Sequence, residues 1–300
     1  MHGRASGYIA IAAASLAWSV APVFIRYLSN AYDPYTQAFV RYLDATAALM
    51  LLCLVFYRAP LRAALANVRA TGGLALVNIV MQVLLTASIY HTTATSAALI
   101  TKLQIVFVIV LSYLLFHEER AVIRNPKFLA GTAMGLLGVW GVLLEHPETG
   151  LLPQLNYAAV GLILVSVAWA VYAVYGKHVV SDIQPIPLFG AVAVYTTAGL
   201  FVVALVAGHP WDACTVDARI ALLTFVSGVV PIAIAHCSFH YAQRELGASF
   251  CGSMILTSPL FTHLIAIALW PDEWMNAWQW TGAGVLLTGS YLVIRAKART

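Results

Sequence analysis

A lysine lies inside an apolar stretch that is long enough to cross a membrane. Lys102 stands about seven residues into the segment 95–116, which carries no other charge. As a helix, this segment would span the roughly 30 Å hydrocarbon core of a bilayer. A charge at that depth costs at least about 2.5 kcal/mol. Lys102 therefore either binds a ligand or a partner group, or it extends its flexible stem to the membrane interface.

Arg41 is a second cation, expected at nearly the same depth as Lys102. It lies about six residues into its own apolar segment, so both charges are placed roughly 10 Å below the same membrane boundary. Two cations at one level repel each other unless an anion joins them. Asp44 follows Arg41 at i,i+3 spacing, so the two residues can neutralise each other within their helix. An external carboxylate, or Asp44 across the helix interface, is then the natural partner of Lys102.

Two tryptophans lie too deep in their segments to anchor a helix at the interface. Trp18 is about eleven residues into its apolar segment and Trp169 about twelve into its own, near the bilayer centre. An indole N–H at that depth needs an acceptor, which a cavity holding water or ligand could supply. Tyr172 follows Trp169 by one turn and could extend an aromatic face. The alternative is that each tryptophan fills space against a neighbouring helix.

Other polar side chains also lie within apolar segments. Asn78 and Gln82 share a helical face at i,i+4 spacing, so their amides must pair with another helix, water or a ligand. His263 and the pair His236 and His240 could relay protons, since histidine titrates near neutral pH. The pair also has the spacing of two metal ligands, but it lacks the glutamate of H-E-x-x-H and a third ligand. We therefore expect no metal site and no cofactor.

The elements that carry these residues are expected to be membrane helices. The chain is 61% hydrophobic and only 9% charged, with a mean hydropathy of +0.84, which excludes a soluble domain. Its ten apolar segments lie at about 7–27, 36–57, 72–91, 95–116, 128–144, 157–177, 186–207, 219–240, 248–270 and 276–295. The pattern predicts an all-α polytopic membrane protein with ten transmembrane helices, whose surroundings are the lipid bilayer.

Lysines and arginines between the segments predict how the chain crosses the membrane. With a cytoplasmic N-terminus, only Arg26 and Arg219 fall on the outer side. The inner side collects Arg4, Arg58, Arg62, Arg69, Arg120, Arg124, Lys127, Lys177, Arg244, Arg295, Lys297 and Arg299. This bias predicts a multi-pass protein of the cell (plasma or inner) membrane with both termini in the cytoplasm. It also accounts for the net charge of +4 without a nucleic-acid partner.

The chain repeats itself after about 151 residues. This shift superimposes Ala17-Trp18 on Ala168-Trp169, Arg26 on Lys177, Gly131 on Gly282 and Gly138 on Gly289. Because each half has five segments, an odd number, the second half must enter the bilayer from the opposite side. The prediction is two inverted-topology five-helix repeats, residues 1–147 and 148–300, which implies alternating access to a site at their interface.

The order of these features in both halves resembles the EamA type of the drug/metabolite transporter superfamily. The resemblance rests on Ala-Trp in the first helix of each half, on Glu119 and Glu273 after each fourth helix, on Pro259, and on closing Gly-x6-Gly helices (131 to 138, 282 to 289). It implies a cavity lined by helices 1–4 and 6–9, peripheral helices 5 and 10, and export of small metabolites such as amino acids. One departure is Ile105, which stands where the fourth helix of the family usually has proline.

Other classes of function fit the sequence less well. The chain contains no G-x-S-x-G, H-E-x-x-H or G-x4-G-K-[ST], so we expect neither an enzyme nor a carrier driven directly by ATP. We expect a small-molecule substrate, most plausibly a carboxylate-bearing amino acid or amino-acid-derived metabolite. The residues expected to bind it are Trp18, Arg41, Asn78, Gln82, Lys102, Trp169, Tyr172 and His263. The alternatives are export of cationic or neutral amphiphiles, and a channel. A coupling proton or ion is compatible with the pattern, and the small-residue face of Gly131, Gly135 and Gly138 indicates helix packing first and a homodimer second.

Overall fold

The computed structural model describes residues 2–115, 125–143, 156–180, 183–246, 251, 255 and 258–297. Within these residues the chain is helical, with no β-strand. The helices are α1 (His2–Ser19), α2 (Ala21–Leu28), α3 (Pro34–Phe56), α4 (Arg58–Ala66), α5 (Val68–Ile89), α6 (Ala94–Ile100), α7 (Gln104–Leu115), α8 (Pro126–Leu143), α9 (Tyr157–Val180), α10 (Pro185–Ala207), α11 (Ala218–Gly228), α12 (Ala235–Leu246), α13 (Ser258–Leu269) and α14 (Ala277–Lys297). Short 3₁₀ segments lie at Thr101–Leu103, Pro210–Cys214 and Pro271–Glu273, and a π-helical segment lies at Val229–Ile234.

Seven helical stretches of the described chain are long and apolar enough to cross a membrane. They are Ala5–Leu28, Pro34–Phe56, Val68–Ile89, Ala94–Leu115, Tyr157–Gly176, Pro185–Ala207 and Ala218–Leu246. Helices α8 and α14 correspond to the predicted segments 128–144 and 276–295, and α13 covers the described end of segment 248–270; none of the three is among the seven. The structure therefore shows an all-helical, multi-pass architecture, and the count of ten spans stays a prediction.

Three of the apolar segments are helical throughout but change their hydrogen-bond pattern at one point, which is called a break here. The first is interrupted between α1 and α2, just before Pro22. The fourth is interrupted by the 3₁₀ turn Thr101–Leu103, although Ile105 stands where proline was expected. The eighth passes through the π-helical segment Val229–Ile234, which contains Pro231. Proline removes a backbone donor and clashes with the preceding turn, which explains the first and third breaks. The break in the fourth segment forms without proline.

The connections define two ends of the helix bundle. At one of them, the Asp33 end, α3 begins and the Asp33 carboxylate accepts hydrogen bonds from the N–H groups of Thr36 and His209. Burial by itself would raise the pKa of this carboxyl, but the hydrogen bonds outweigh it and lower the pKa. At the opposite Arg58 end, the connection between α3 and α5 forms the additional helix α4.

The largest buried cluster lies where α3, α5, α9 and α10 meet. Its fully buried members include Tyr42, Leu74, Tyr172, Leu188 and Phe189. Inside a membrane, such contacts stabilise the fold through close packing and hydrogen bonds between helices, because lipid tails are as apolar as the side chains. The cluster holds α10 against α3 and α5.

Helices α8 and α14 approach each other along a face of glycines. A methyl group added at Gly138 would overlap the backbone of Leu286, and one added at Gly141 would meet the backbone of Gly282. Glycine lets two helix backbones come this close because it has no side chain. The small-residue face of the fifth predicted segment is thus filled by the tenth segment of the same chain.

Replacing Gly138 by alanine should destabilise the fold by about 1–3 kcal/mol, because the added methyl group forces the two helices apart. Gly284→Ala in α14 is the matched control, since nothing lies within 4 Å of its added methyl group and alanine favours a helix over glycine. Thermal melting of the purified variants in detergent compares the two. Equal melting temperatures would contradict the close packing of α8 against α14.

Candidate functional site

A cavity lined by Arg41 and Lys102, called the main cavity because it holds both of these cations, lies between helices from both halves of the chain. Its volume is about 110 Å³, which is room for several water molecules. Among the described residues, its walls come from α1, α2, α3, α5, α6, α7, α9, α12, α13, the 3₁₀ turn 101–103 and the π-helical segment 229–234. The described parts of α8 and α14 contribute nothing, in agreement with the expected periphery. The seventh segment was also expected to line the cavity and does not, because α10 packs behind α3 and α5.

Five of the eight predicted binding residues line this cavity. They are Trp18, Arg41, Gln82, Lys102 and Trp169. The other three are Asn78, Tyr172 and His263, which lie outside it.

Trp18 and Trp169 form the aromatic part of the cavity wall. Their rings meet edge to face, with centroids 5.1 Å apart and an interplanar angle of 88°. Both rings also contact Phe239, at 5.1 Å and 5.8 Å. Each tryptophan therefore lines the cavity and also packs against neighbouring helices, so the two alternatives proposed from the sequence are not exclusive.

His236 completes the aromatic wall and was not among the predicted binding residues. Its ring stacks on Phe189 at 4.5 Å and lies 5.3 Å from the ring of Trp18. Its Nδ1 is 3.0 Å from the carbonyl oxygen of Ile232, and its buried Nε2 has no hydrogen-bond partner among the described residues. In the sequence, the i,i+4 spacing of His236 and His240 indicated only a possible metal pair. The signal that could have placed His236 in the cavity wall is its position shortly after Pro231, which also lines the cavity.

Arg41 lines the cavity but does not pair with Asp44. Its Nε donates to Ser227 Oγ at 2.6 Å, and its Nη2 lies 3.4 Å from the carbonyl oxygen of Ser227. The predicted ion pair within α3 is therefore wrong. The physical reason is the close approach of α11: Gly228 packs against the backbone of Arg41 and the Cβ of Asp44, which brings the neighbouring Ser227 to the guanidinium.

Lys102 lies within the break of the fourth segment. It belongs to the 3₁₀ turn Thr101–Leu103 and is 6% exposed. Among the residues that the structure describes, no carboxylate and no hydrogen-bond acceptor contacts its ammonium, so Asp44 is not its partner in this conformation. The amides of Gln82 and Gln104 line the same cavity.

Asn78 and Tyr172 connect helices instead of facing the main cavity. The Asn78 amide donates to Tyr42 Oη at 2.9 Å and to Thr196 Oγ1 at 3.2 Å, which joins α5 to α3 and α10. Tyr172 Oη lies 3.0 Å from Nε2 of His240 and joins α9 to α12. The helical face that Asn78 and Gln82 were expected to share is thus divided between an interhelical hydrogen bond and the cavity.

His263 lies beside a second cavity, of about 200 Å³, between α6, α13 and α14. Its Nδ1 is 3.2 Å from Thr95 Oγ1, and its ring meets that of Trp280 edge to face at 4.9 Å. This predicted binding residue therefore lies outside the main cavity.

Glu273 closes the Asp33 end of the bundle. Its carboxylate accepts hydrogen bonds from the N–H groups of Ala94 at 2.7 Å and Thr95 at 3.0 Å, at the start of α6. It also forms an ion pair with Arg26, which contacts Asp272 as well. Negative charge is favourable at a helix N-terminus, so Glu273 ties together α2, α6 and the end of α13. Its counterpart in the repeat, Glu119, lies outside the described residues.

The sequence model of the EamA-like transporter family matches residues 5–144 and again residues 156–295. The chain belongs to the EamA-like transporter family. Two matches, one in each half, confirm the resemblance that the repeated motifs indicated. The cavity is accordingly the candidate solute site of this EamA-like transporter.

Two relatives carry the name uncharacterized transporter. One, from Methanothermobacter thermautotrophicus, is 28% identical over 208 residues, which are 67% of this chain and 57% of the relative. The other, from Archaeoglobus fulgidus, is 24% identical over 265 residues, which are 86% of this chain and 87% of the relative. A protein of known crystal structure superimposes with a TM-score of 0.68 over 99% of both chains at 16% identity, which shows a shared fold.

Glu273→Gln should destabilise this EamA-like transporter by about 1.5–3 kcal/mol, because the buried carboxylate loses its charge-assisted hydrogen bonds to Arg26 and to the N–H groups at the start of α6. Asp272→Asn is the matched control: its side chain is 62% exposed, and exposed ion pairs contribute about 0–1 kcal/mol. Thermal melting of both variants measures the difference. Equal losses would mean that burial of Glu273 does not strengthen the pair.

Proposed function

We propose that this protein exports a small, carboxylate-bearing organic metabolite, an amino acid or a derivative of one, by alternating access. The observation that carries the proposal is the Lys102 side chain, which lies in the cavity wall with no acidic partner among the described residues. A charge buried at low dielectric is costly unless it is paired. A bound carboxylate would supply the missing pair.

Arg41 supports the same substrate class. Its guanidinium has five N–H donors, and Ser227 engages two of its three nitrogens. The remaining donors are available on a side chain that lines the cavity together with Lys102. Two cations with no opposing carboxylate among the residues that the structure describes favour an anionic group between them.

The rest of the cavity wall suits the remainder of an amino-acid-like solute. Gln82 and Gln104 provide amide oxygens that can accept hydrogen bonds from an amino group. Trp18 and Trp169 provide an apolar surface on the side of the cavity formed by α1 and α9. Such a mixture of apolar walls and a few polar groups is typical of small-molecule sites.

Alternating access is supported by the broken segments around the cavity. The breaks before Pro22, at 101–103 and at 229–234 all contribute lining residues, and helix irregularities beside a site at the interface of repeats are compatible with a secondary transporter. The outward direction of transport is taken from the family resemblance. A proton or ion that drives it would have to bind within the same bundle.

The second candidate is export of cationic or neutral amphiphiles. The edge-to-face pair of Trp18 and Trp169, with His236 beside it, favours this alternative because aromatic faces attract quaternary ammonium groups. Lys102 would then be a structural cation. Two unneutralised cations in the same cavity disfavour a positively charged solute.

Lys102→Met should abolish binding of a carboxylate substrate while sparing its decarboxylated analogue, because the lost charge pair is worth about 2–5 kcal/mol. Lys102→Arg should be only partly active, since the planar guanidinium of arginine differs in shape and hydrogen-bond geometry from the compact ammonium of lysine. The matched control is Lys127→Met on the exposed surface of α8. Thermal stabilisation across a metabolite panel finds the ligand, and counterflow in liposomes measures transport.

Three outcomes of this experiment contradict the proposal. Full activity of the methionine variant, or equal loss of both ligands, would leave Lys102 with a structural or snorkelling role. Ohmic conductance in place of saturable counterflow would indicate a channel.

The proposed orientation has its own test. Reporters fused after Arg62 and Arg124 should report the cytoplasm, and reporters fused after Glu148 and Asp212 should report the outside, because cytoplasmic loops retain Lys and Arg. A cytoplasmic signal after Glu148 would overturn the inverted arrangement of the two halves.

A further inference from the structure

Three arginines at the Arg58 end lie in a stretch of sequence that contains no acidic residue. Residues 45–117 contain no aspartate or glutamate, and their cations are Arg58, Arg62, Arg69 and Lys102. The three arginines belong to α4 and the first turn of α5, and each is exposed. Within the part of the chain that the structure describes, none of the three forms an ion pair.

Helix α4 is amphipathic and presents its arginines outward. Arg58 and Arg62 are spaced i,i+4 and therefore share a face, whereas Leu61 and Ala64 are buried against the bundle. The Nε of Arg58 donates to the carbonyl oxygen of Leu54 at the end of α3, which leaves its terminal N–H groups free for another acceptor. The exposed face of α4 therefore offers guanidinium groups to the surroundings.

The position of α4 coincides with the edge of the apolar bundle surface. In the last turns of α3, Leu51, Val55 and Phe56 are 71%, 65% and 71% exposed, as expected for side chains that contact lipid tails. Helix α4 begins two residues after Phe56, at Arg58. Arginines directly beyond the apolar surface lie at the depth of lipid headgroups.

The corner that carries the arginines is held rigidly from both sides. Tyr175 Oη donates to the carbonyl oxygen of Arg69 at 3.0 Å, and Tyr195 Oη donates to that of Leu65 at 2.7 Å. Thr71 Oγ1 donates to the carbonyl oxygen of Ala64 at 3.1 Å. A fixed backbone reduces the ordering cost when a ligand binds.

We propose that Arg58, Arg62 and Arg69 form a binding site for the phosphate headgroups of anionic phospholipids. Guanidinium groups match phosphate through paired N–H donors, and the exposed side chains of Phe56 and Val68 beside them can contact the acyl chains. A soluble anion would gain nothing from that apolar border. The site is separate from the main cavity, so it does not depend on the identity of the transported solute.

The test uses the full chain, purified in detergent and titrated with dioctanoyl phosphatidylglycerol, dioctanoyl phosphatidylcholine or inorganic phosphate. Each arginine near an anionic lipid surface contributes roughly a fivefold gain in affinity. We expect the anionic phosphatidylglycerol to bind at least about tenfold more tightly than the zwitterionic phosphatidylcholine. The variant R58Q/R62Q/R69Q should lose that preference, and the control Arg219→Gln, at the Asp33 end, should keep it. Native mass spectrometry reads the bound lipid.

Three results would overturn the proposal. One is equal affinity of the unaltered protein for the two lipids, and another is a triple variant that keeps the preference. The third is displacement of phosphatidylglycerol by inorganic phosphate at a concentration similar to that of the lipid, which would identify a site for free anions. If the triple variant does not fold, Arg62→Gln alone should reduce the preference about fivefold, and an unchanged preference counts against the site.

Discussion

A backbone inside hydrocarbon must satisfy its own hydrogen bonds, because no water is available to do so. The irregular backbone of this EamA-like transporter is concentrated accordingly. The breaks before Pro22, at 101–103 and at 229–234 all border the main cavity, where protein groups or water can reach the freed amides and carbonyls. The segments that can bend are therefore also the segments that a solute in the cavity would contact.

The polar side chains follow the same constraint. The Asn78 amide donates hydrogen bonds to Tyr42 and Thr196, and thereby joins three helices. Arg41 uses part of its guanidinium on Ser227 and still lines the cavity. Lys102 lines the same cavity and has no partner among the described residues. Polar groups whose hydrogen bonds are made within the protein stabilise the fold, whereas groups that lack a protein partner are available to bind a ligand.

Two of the contacts that join the halves of the chain differ in physical character. Glycines bring the backbones of α8 and α14 together by close packing, which is insensitive to charge. At the Asp33 end, Arg26 from the first half meets Glu273 from the second, and Glu273 also accepts from the N–H groups that begin α6. The first contact lies away from the main cavity, and the second closes one end of the helices that surround it.

The sequence by itself determined the membrane class, the positions of the apolar segments, the duplicated halves and the family. It also located the intramembrane cations and the deep tryptophans, because charge and ring size are properties of single residues. The sequence could not say which way each helix is turned about its axis. A helix that is apolar on nearly every side has no polar face to orient it, so Asn78 and Gln82 looked equivalent.

Only the tertiary structure decided that Gln82 and His236 line the cavity, that Asn78 and Tyr172 connect helices, and that His263 belongs to a second cavity. It also decided that Arg41 bonds to Ser227 and not to Asp44, since the partner comes from a helix 186 residues away in the chain. Such pairings depend on helix rotation and packing across the whole bundle, which leave no local trace in the order of residues.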